Sequence, residues 1–184
     1  MKLFNMKSKD NVDNYHIIIR HFKTRNDKIN YSICYDEATP YIDFLKSYIQ
    51  KYDINEVEIE TSSFERTLIT SLIIYIELQE QLNHKINIHK PKLNKYLERQ
   101  TDKTKQQSIF NHFKSDFNTK GKLIIKITHS SIYLKIFHGL LQGINNKEIN
   151  IKKITDNTQI HSHSLSFITD IGDEVKYAFN IKME

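Results

Sequence analysis

The chain has 184 residues, a net charge of +5 and a pI near 9, with 39% hydrophobic residues, ten Phe and ten Tyr. That length and apolar content support a folded core in one domain or two small ones and exclude a disordered tail. The single Cys34 excludes an intrachain disulfide and a multi-thiolate zinc site and fits a reducing compartment, and four Gly leave little material for a phosphate or cofactor loop.

Residues 1–13 read as a flexible polar leader without the apolar centre of a signal peptide. Tyr15 to Phe22 is a β-branched strand, followed by a turn at Arg25-Asn26-Asp27 and a second strand from Ile29 to Tyr35. Thr39 as N-cap and Pro40 in the first helical position then open a helix. Its apolar face is Tyr41, Phe44, Leu45, Tyr48 and Ile49, and it stops near Tyr52-Asp53. Val57 and Ile59 alternate with Glu56, Glu58 and Glu60, a half-buried strand whose carboxylates share a solvent face and invite a basic partner. Ser62 and Glu65 have the spacing of a capping box, opening a helix that buries Leu68, Ile69, Leu72, Ile73 and Ile76. A strand from Lys85 to His89 ends at Pro91.

The stretch from Asn94 to Lys120 is polar, with a short helix around Ile109, Phe110 and Phe113. Leu123 to Ile127 is a strand, and Ser130 or Ser131 caps a helix with Tyr133, Phe137, Leu140, Leu141 and Ile144 inward. Ile149, Ile151 and Ile154 alternate as a further strand. Leu165 to Ile181 reads as a hairpin turning at Gly172-Asp173, with Val175, Tyr177, Phe179 and Ile181 on one face. The longest apolar run, Leu72 to Ile76, is too short to span a bilayer, so the expected address is nuclear or otherwise intracellular, not secreted and not membrane-bound.

Charge is concentrated. Residues 85 to 126 hold eleven Lys or Arg against three acids, a segment of +8 in a chain of +5, so the remainder sums to −3. Clustered positive charge is the footprint of a polyanion partner. Tyr96, Phe110, Phe113 and Phe117 are interleaved with the cations, a pattern that suits phosphates beside bases, although the three Phe are better read as pinning the segment to the fold. His161-Ser162-His163 puts two imidazoles on one side of an extended segment, but no third ligand accompanies them. His84 and His89 have no coordination spacing, and Cys34 sits among apolar neighbours as an inert thiol. There is no Gly-x-Gly-x-x-Gly, Walker loop or His-Glu-x-x-His, so no cofactor and no metal are expected.

Three features carry a resemblance. A strand runs into a short loop and a Pro-opened helix between Cys34 and Ile42, Asn55 to Ile59 reads Asn-Glu-Val-Glu-Ile, and Arg66 stands at the start of the following helix ahead of Leu68 and Leu72. In these respects Ile29 to Pro91 resembles the Alba superfamily of chromatin- and RNA-binding proteins, which includes two small subunits of RNase P and RNase MRP. The stretch departs from that pattern where Ala38 and Thr39 replace a Lys pair and Glu65 replaces a Gly. The resemblance implies an α+β, Alba-like βαβαβ sandwich of helices on a mixed sheet, extended by a second β-α-β plus hairpin segment. It also implies binding shifted to the basic arm and a protein partner, as a heterodimer or within a multisubunit complex.

The chain thus divides into a leader (1–13), an Alba-like core (14–93), a basic connecting segment (94–120) and a second lobe or sheet extension (121–184). The expected function is a non-catalytic nucleic-acid-binding subunit, for DNA or RNA. Its phosphate contacts are Arg66, Lys85, Lys90, Lys92, Lys95, Arg99, Lys103, Lys105, Lys120 and Lys122. The alternative is a structural adaptor, in an RNase P/MRP-like ribonucleoprotein or a DNA adenine methyltransferase complex, docking through the acidic face of Glu56, Glu58 and Glu60.

Overall fold

The computed structural model describes residues 4–7, 13–22, 31–82, 86–115, 117, 119, 121–145, 160–171 and 174–183. Its centre is β2 (Asn14–Arg20), in which Asn14 to Ile19 are all buried because helices cover both faces of the sheet. On one side of β2 lies β6 (Leu123–Thr128), parallel to it, and beyond β6 lies β3 (Glu56–Thr61), again parallel. Two short strands, β4 (Asn87–Ile88) and β5 (Lys92–Leu93), run along the outer edge of β3. On the other side of β2 come β7 (Ser164–Ile171), β8 (Glu174–Lys182) and β1 (Phe4–Lys7), each antiparallel to its neighbour. The described strands form one mixed sheet in the order β1-β8-β7-β2-β6-β3, and it draws on both sides of the segment 94–120.

The pleat sorts side chains into two cores. Tyr15, Ile17 and Ile19 join Val57, Ile59, Leu123, Ile125 and Ile127 beneath α1 (Tyr31–Lys51) and α2 (Glu65–Gln81). Ile18, Ile168, Val175 and Tyr177 face α3 (Lys103–Ser115) and α4 (Ser130–Asn145). Helices α3 and α4 approach closely: a Cβ at Gly139 would stand 2.6 Å from the Phe110 carbonyl oxygen and 2.9 Å from Phe113 Cβ.

Several local expectations are corrected. Phe4–Lys7, read as leader, pairs with β8 as an edge strand. Tyr31 to Tyr35 is helical, not extended, so Pro40 lies inside α1 rather than at its start. The capping box does not form: α2 starts after Phe64 without a side-chain cap, and the Ser62 hydroxyl is bonded elsewhere. The buried face of α2 is Thr67, Thr70, Ser71, Ile73, Ile74 and Leu78, while Leu72 is 48% and Ile76 39% exposed. The physical reason is polar demand. Thr70 Oγ1 accepts the Phe22 N–H at 3.0 Å and donates to the Arg66 carbonyl at 2.8 Å, so hydroxyl residues win the inner face. Val175 and Tyr177 lie in the α3/α4 core with Phe179 half-buried against it, whereas Ala178 is buried in the α1/α2 core and Ile181, beyond the left-handed Asn180 (φ 54°), is half-buried against that second core. The expected strand at Ile149 to Ile154 and the turn at Gly172-Asp173 lie outside the described residues.

Candidate active site

The parallel strands β2, β6 and β3 end at one edge of the sheet, and there the chain spends its polar residues. Crevices outside the carboxyl ends of parallel strands are where open α/β sheets bind ligands. Arg20 closes β2 opposite Thr128, and the ladder runs one step further, the His21 N–H donating to the Thr128 carbonyl at 3.1 Å. His129 follows on β6, so two imidazoles stand side by side with ring centroids 5.3 Å apart. From β3 come Ser62, Ser63 and Phe64, then Arg66 in the first turn of α2. Together Arg20, His21, Arg66, Arg99, His129, the first two residues of α4 and Ser162 line a cavity of about 340 Å³.

Each imidazole is held by one nitrogen. His21 Nδ1 lies 2.7 Å from the Phe22 carbonyl oxygen, an acceptor, so Nδ1 carries the proton and Nε2 keeps its lone pair. His129 Nε2 is 3.0 Å from the Ser62 hydroxyl, which is itself 2.7 Å from Thr67 Oγ1, and Thr67 donates to the Phe64 carbonyl at 2.7 Å. Its Nδ1 is buried with no protein partner among the described residues. Burial pushes the His21 ring down to about 4, with Arg66 and Arg20 adding to the shift against the Phe22 bond. Burial likewise takes His129 down to about 3, helped by His21 and by Arg66, Arg99 and Arg20. Both rings are neutral near pH 7.

The cations are anchored too. The Arg20 guanidinium donates to the carbonyls of Ile160 at 3.1 Å and His161 at 2.9 Å, which ties the Ser162 segment to the cavity. Burial lowers its pKa, and so does the nearby Arg66. Glu98 Oε1 accepts the Ser63 N–H at 2.7 Å, tying the stretch that carries Arg99 to the turn between β3 and α2, and Phe64 packs edge-on against His129 at 4.9 Å. The α4 helix starts at the cavity, and its first N–H groups and dipole favour an anion there. Three guanidiniums with neutral imidazoles make an anion pocket.

Two of the ten expected contact residues, Arg66 and Arg99, meet in this cavity. Lys92 is an ion-pair partner of Glu58 and lies 3.5 Å from Glu60, while Lys122 holds Glu56 and Glu58, both at 2.9 Å. Lys90, Lys95, Lys103 and Lys105 are exposed, with Lys95 5.3 Å from the Tyr96 ring centre. Lys85 and Lys120 lie outside the described residues. Lys126, also in the basic strip, is buried against Glu60 at 2.7 Å. The basic partner that the acidic strand invites is therefore in the same chain. Arg20, His21 and His129 were missed as site residues. Their signal was the Arg-His pair that follows the isoleucine run Ile17 to Ile19, matched by a His immediately after the strand at Leu123.

This is a mixed sheet with helices on both faces and a His/Arg anion cleft at the carboxyl ends of its parallel strands. In fold the chain is similar to a phosphoglycerate mutase from Plasmodium falciparum, with a TM-score of 0.56 over 92% of this chain and 91% of that one, at 15% identity. No family model matches the chain, and no curated protein matches it. The likeness overturns the Alba resemblance, since it spans nearly the whole chain with a different architecture. It also overturns the expectation of a non-catalytic nucleic-acid-binding or adaptor subunit that is not an enzyme. Among the described residues no helix is long and apolar enough to cross a membrane, and no group of three or more His, Cys, Asp or Glu could hold a metal ion. Nothing in the structure supports a nuclear address.

Proposed function

We propose that this chain is a phosphoryl-transfer enzyme, a phosphatase or phosphomutase working through a phosphohistidine at His21. The observation that carries the reading is the Nδ1 bond to the Phe22 carbonyl at 2.7 Å, which leaves a neutral, lone-pair-bearing Nε2 in a cavity of guanidiniums. A nucleophile held in one tautomer beside preorganised cations is the arrangement such chemistry requires. The fold likeness to a phosphoglycerate mutase points the same way.

In the first half-reaction the His21 Nε2 lone pair forms the N–P bond as the P–O bond of a phosphate monoester breaks. Arg20 and Arg66 hold the phosphoryl oxygens, whose charge is spread in the transition state. A phosphate dianion beside His129 favours the protonated ring. Nε2–H then donates to Ser62 and Nδ1–H to a phosphoryl oxygen. The leaving alkoxide takes its proton from water at the mouth of the cleft. In the second half-reaction water or a second hydroxyl forms a P–O bond, the N–P bond breaks, and the proton of the attacking water or hydroxyl passes to solvent.

The test is incubation with a ³²P-labelled alkyl phosphate followed by denaturation. The expected product is protein-bound label that survives alkali, is lost in acid, and is missing from His21→Ala. Turnover of p-nitrophenyl phosphate by His21→Ala at the wild-type rate would end the reading.

A further inference from the structure

Among the described residues nothing covers the outer face of α2. On that side of the sheet α1 lies over β7, its Tyr48 hydroxyl bonded to Thr169, while α2 lies over β3 and β4, Gln79 donating to the Ile88 carbonyl at 2.9 Å. The helix is thus the last layer before the sheet edge. Leu72 and Ile76 stand one turn apart on its solvent side, with Leu68 half-buried one turn before them. Leu93 extends the same surface. It pairs with Thr61, which shares a face of β3 with Val57 and Ile59, so Leu93 points to the α2 side, and it is 65% exposed. Three of the four large apolar side chains that the described fold leaves exposed therefore gather at one edge. A contiguous apolar patch of this kind marks an interaction surface.

The edge itself is not built for pairing with another strand. Its two strands have two residues each, Pro91 stands between them, and Lys90 and Lys92 flank the Pro, features that discourage a further ladder. A side-chain interface remains, and its charges divide by element. Glu65, Glu77 and Glu80 lie on α2, whereas Lys90 and Lys95 lie on the edge segment, exposed and with no ion-pair partner among the described residues. An anionic partner surface would meet the carboxylates and a cationic one the lysines. A twofold axis instead lays each half on the other half of a second copy, which satisfies both. We infer that this face is the interface of a homodimer in which α2 of one protomer packs against residues 89–95 of its partner. Each Leu93 enters beside Leu72 and Ile76 of the facing copy, and the carboxylates of α2 meet Lys90 and Lys95 around that apolar centre. The phosphoryl-transfer reading plays no part in this, and no residue lining the cavity is used.

Sedimentation velocity on the full chain, from about 1 to about 100 µM, should show a species of twice the 21.9 kDa chain mass. Leu72→Glu/Leu93→Glu should leave a monomer with the circular dichroism of the wild type, since both side chains are exposed in the protomer. Lys90→Glu/Lys95→Glu should weaken the dimer about tenfold or more at low salt. Adding Glu77→Lys/Glu80→Lys to that variant should recover most of the loss, a rescue that only a contact between the two elements in separate copies provides. A wild-type chain that stays at 21.9 kDa throughout, a dimer unaffected by Leu72→Glu/Leu93→Glu, or an open-ended series of larger species overturns the inference, as does a charge swap that recovers nothing.

Discussion

The hydroxyl of Ser62 lies 3.0 Å from Nε2 of His129, joining the last residue before the α2 turn to the residue that follows β6. Both are buried, so the bond has no water to replace it. Ser62→Ala should lower stability by about 1–2 kcal/mol through the unsatisfied imidazole nitrogen. It should also reduce kcat more than it raises KM, because the ring loses its fixed orientation. Urea unfolding beside steady-state kinetics checks both, and an unchanged kcat would remove His129 from the reaction.

Lys126 and Glu60 form an ion pair at 2.7 Å with both side chains buried, and Asn94 donates to the same carboxylate at 3.0 Å. The Lys126 ammonium also lies 5.0 Å from the Phe113 ring centre. Lys126→Met should cost about 3–5 kcal/mol by stranding a buried charge, whereas Lys126→Met with Glu60→Met should cost less. Chemical denaturation of the single and double variants gives the coupling; strict additivity would reject it.

Acid should destabilise the fold before most carboxylates titrate. Burial lowers His16 to about 3, His21 to about 4, His129 to about 3 and His138 to about 4. Each folded value lies below the unfolded value near 6.5, so the unfolded state binds more protons between them. Their contribution is complete above pH 6.5 and is lost as pH falls towards 3. At Glu60 burial acts upward, but Lys126 outweighs it and brings the carboxyl to about 2, so this contribution is lost between the ordinary carboxylate range and 2. Urea midpoints measured from pH 8 to pH 4.5 should fall through this range, and less steeply in His16→Asn. A flat profile would contradict the buried, neutral imidazoles.

Gly139 tests the contact between α3 and α4. Alanine is the better helix former by about 1 kcal/mol, yet its Cβ would meet backbone oxygen at 2.6 Å. Gly139→Ala should therefore destabilise by about 1–3 kcal/mol, read by thermal or urea unfolding. A gain in stability would mean the helices stand further apart.

Much of the frame was legible because it rests on apolar periodicity. The β2 strand, the α1 face from Tyr41 to Ile49, β6, α4 and the terminal hairpin all stand close to where alternation or helical spacing puts them. The inner face of α2 was not legible, since Thr67, Thr70 and Ser71 are buried for their hydroxyls and Leu72 is left in solvent. The cleft was harder still. Its members are residues 20–21, 66, 99, 129–131 and 162, and only the order of strands brings them together. Net charge misled for a related reason: Lys92, Lys122 and Lys126 look free in sequence and are matched by Glu56, Glu58 and Glu60 through the sheet.

The position of β6 between β2 and β3 has a consequence for biosynthesis. The strands ending in Arg20 and Thr61 do not hydrogen-bond to each other, and the one that bridges them begins only at Leu123. A growing polypeptide therefore carries two isoleucine- and valine-bearing edges in search of a late arrival, an interval in which mispairing between nascent chains competes with closure. Recovery of catalytic competence after dilution from denaturant should lag early helix formation, because the two imidazoles become neighbours only when that last central strand docks.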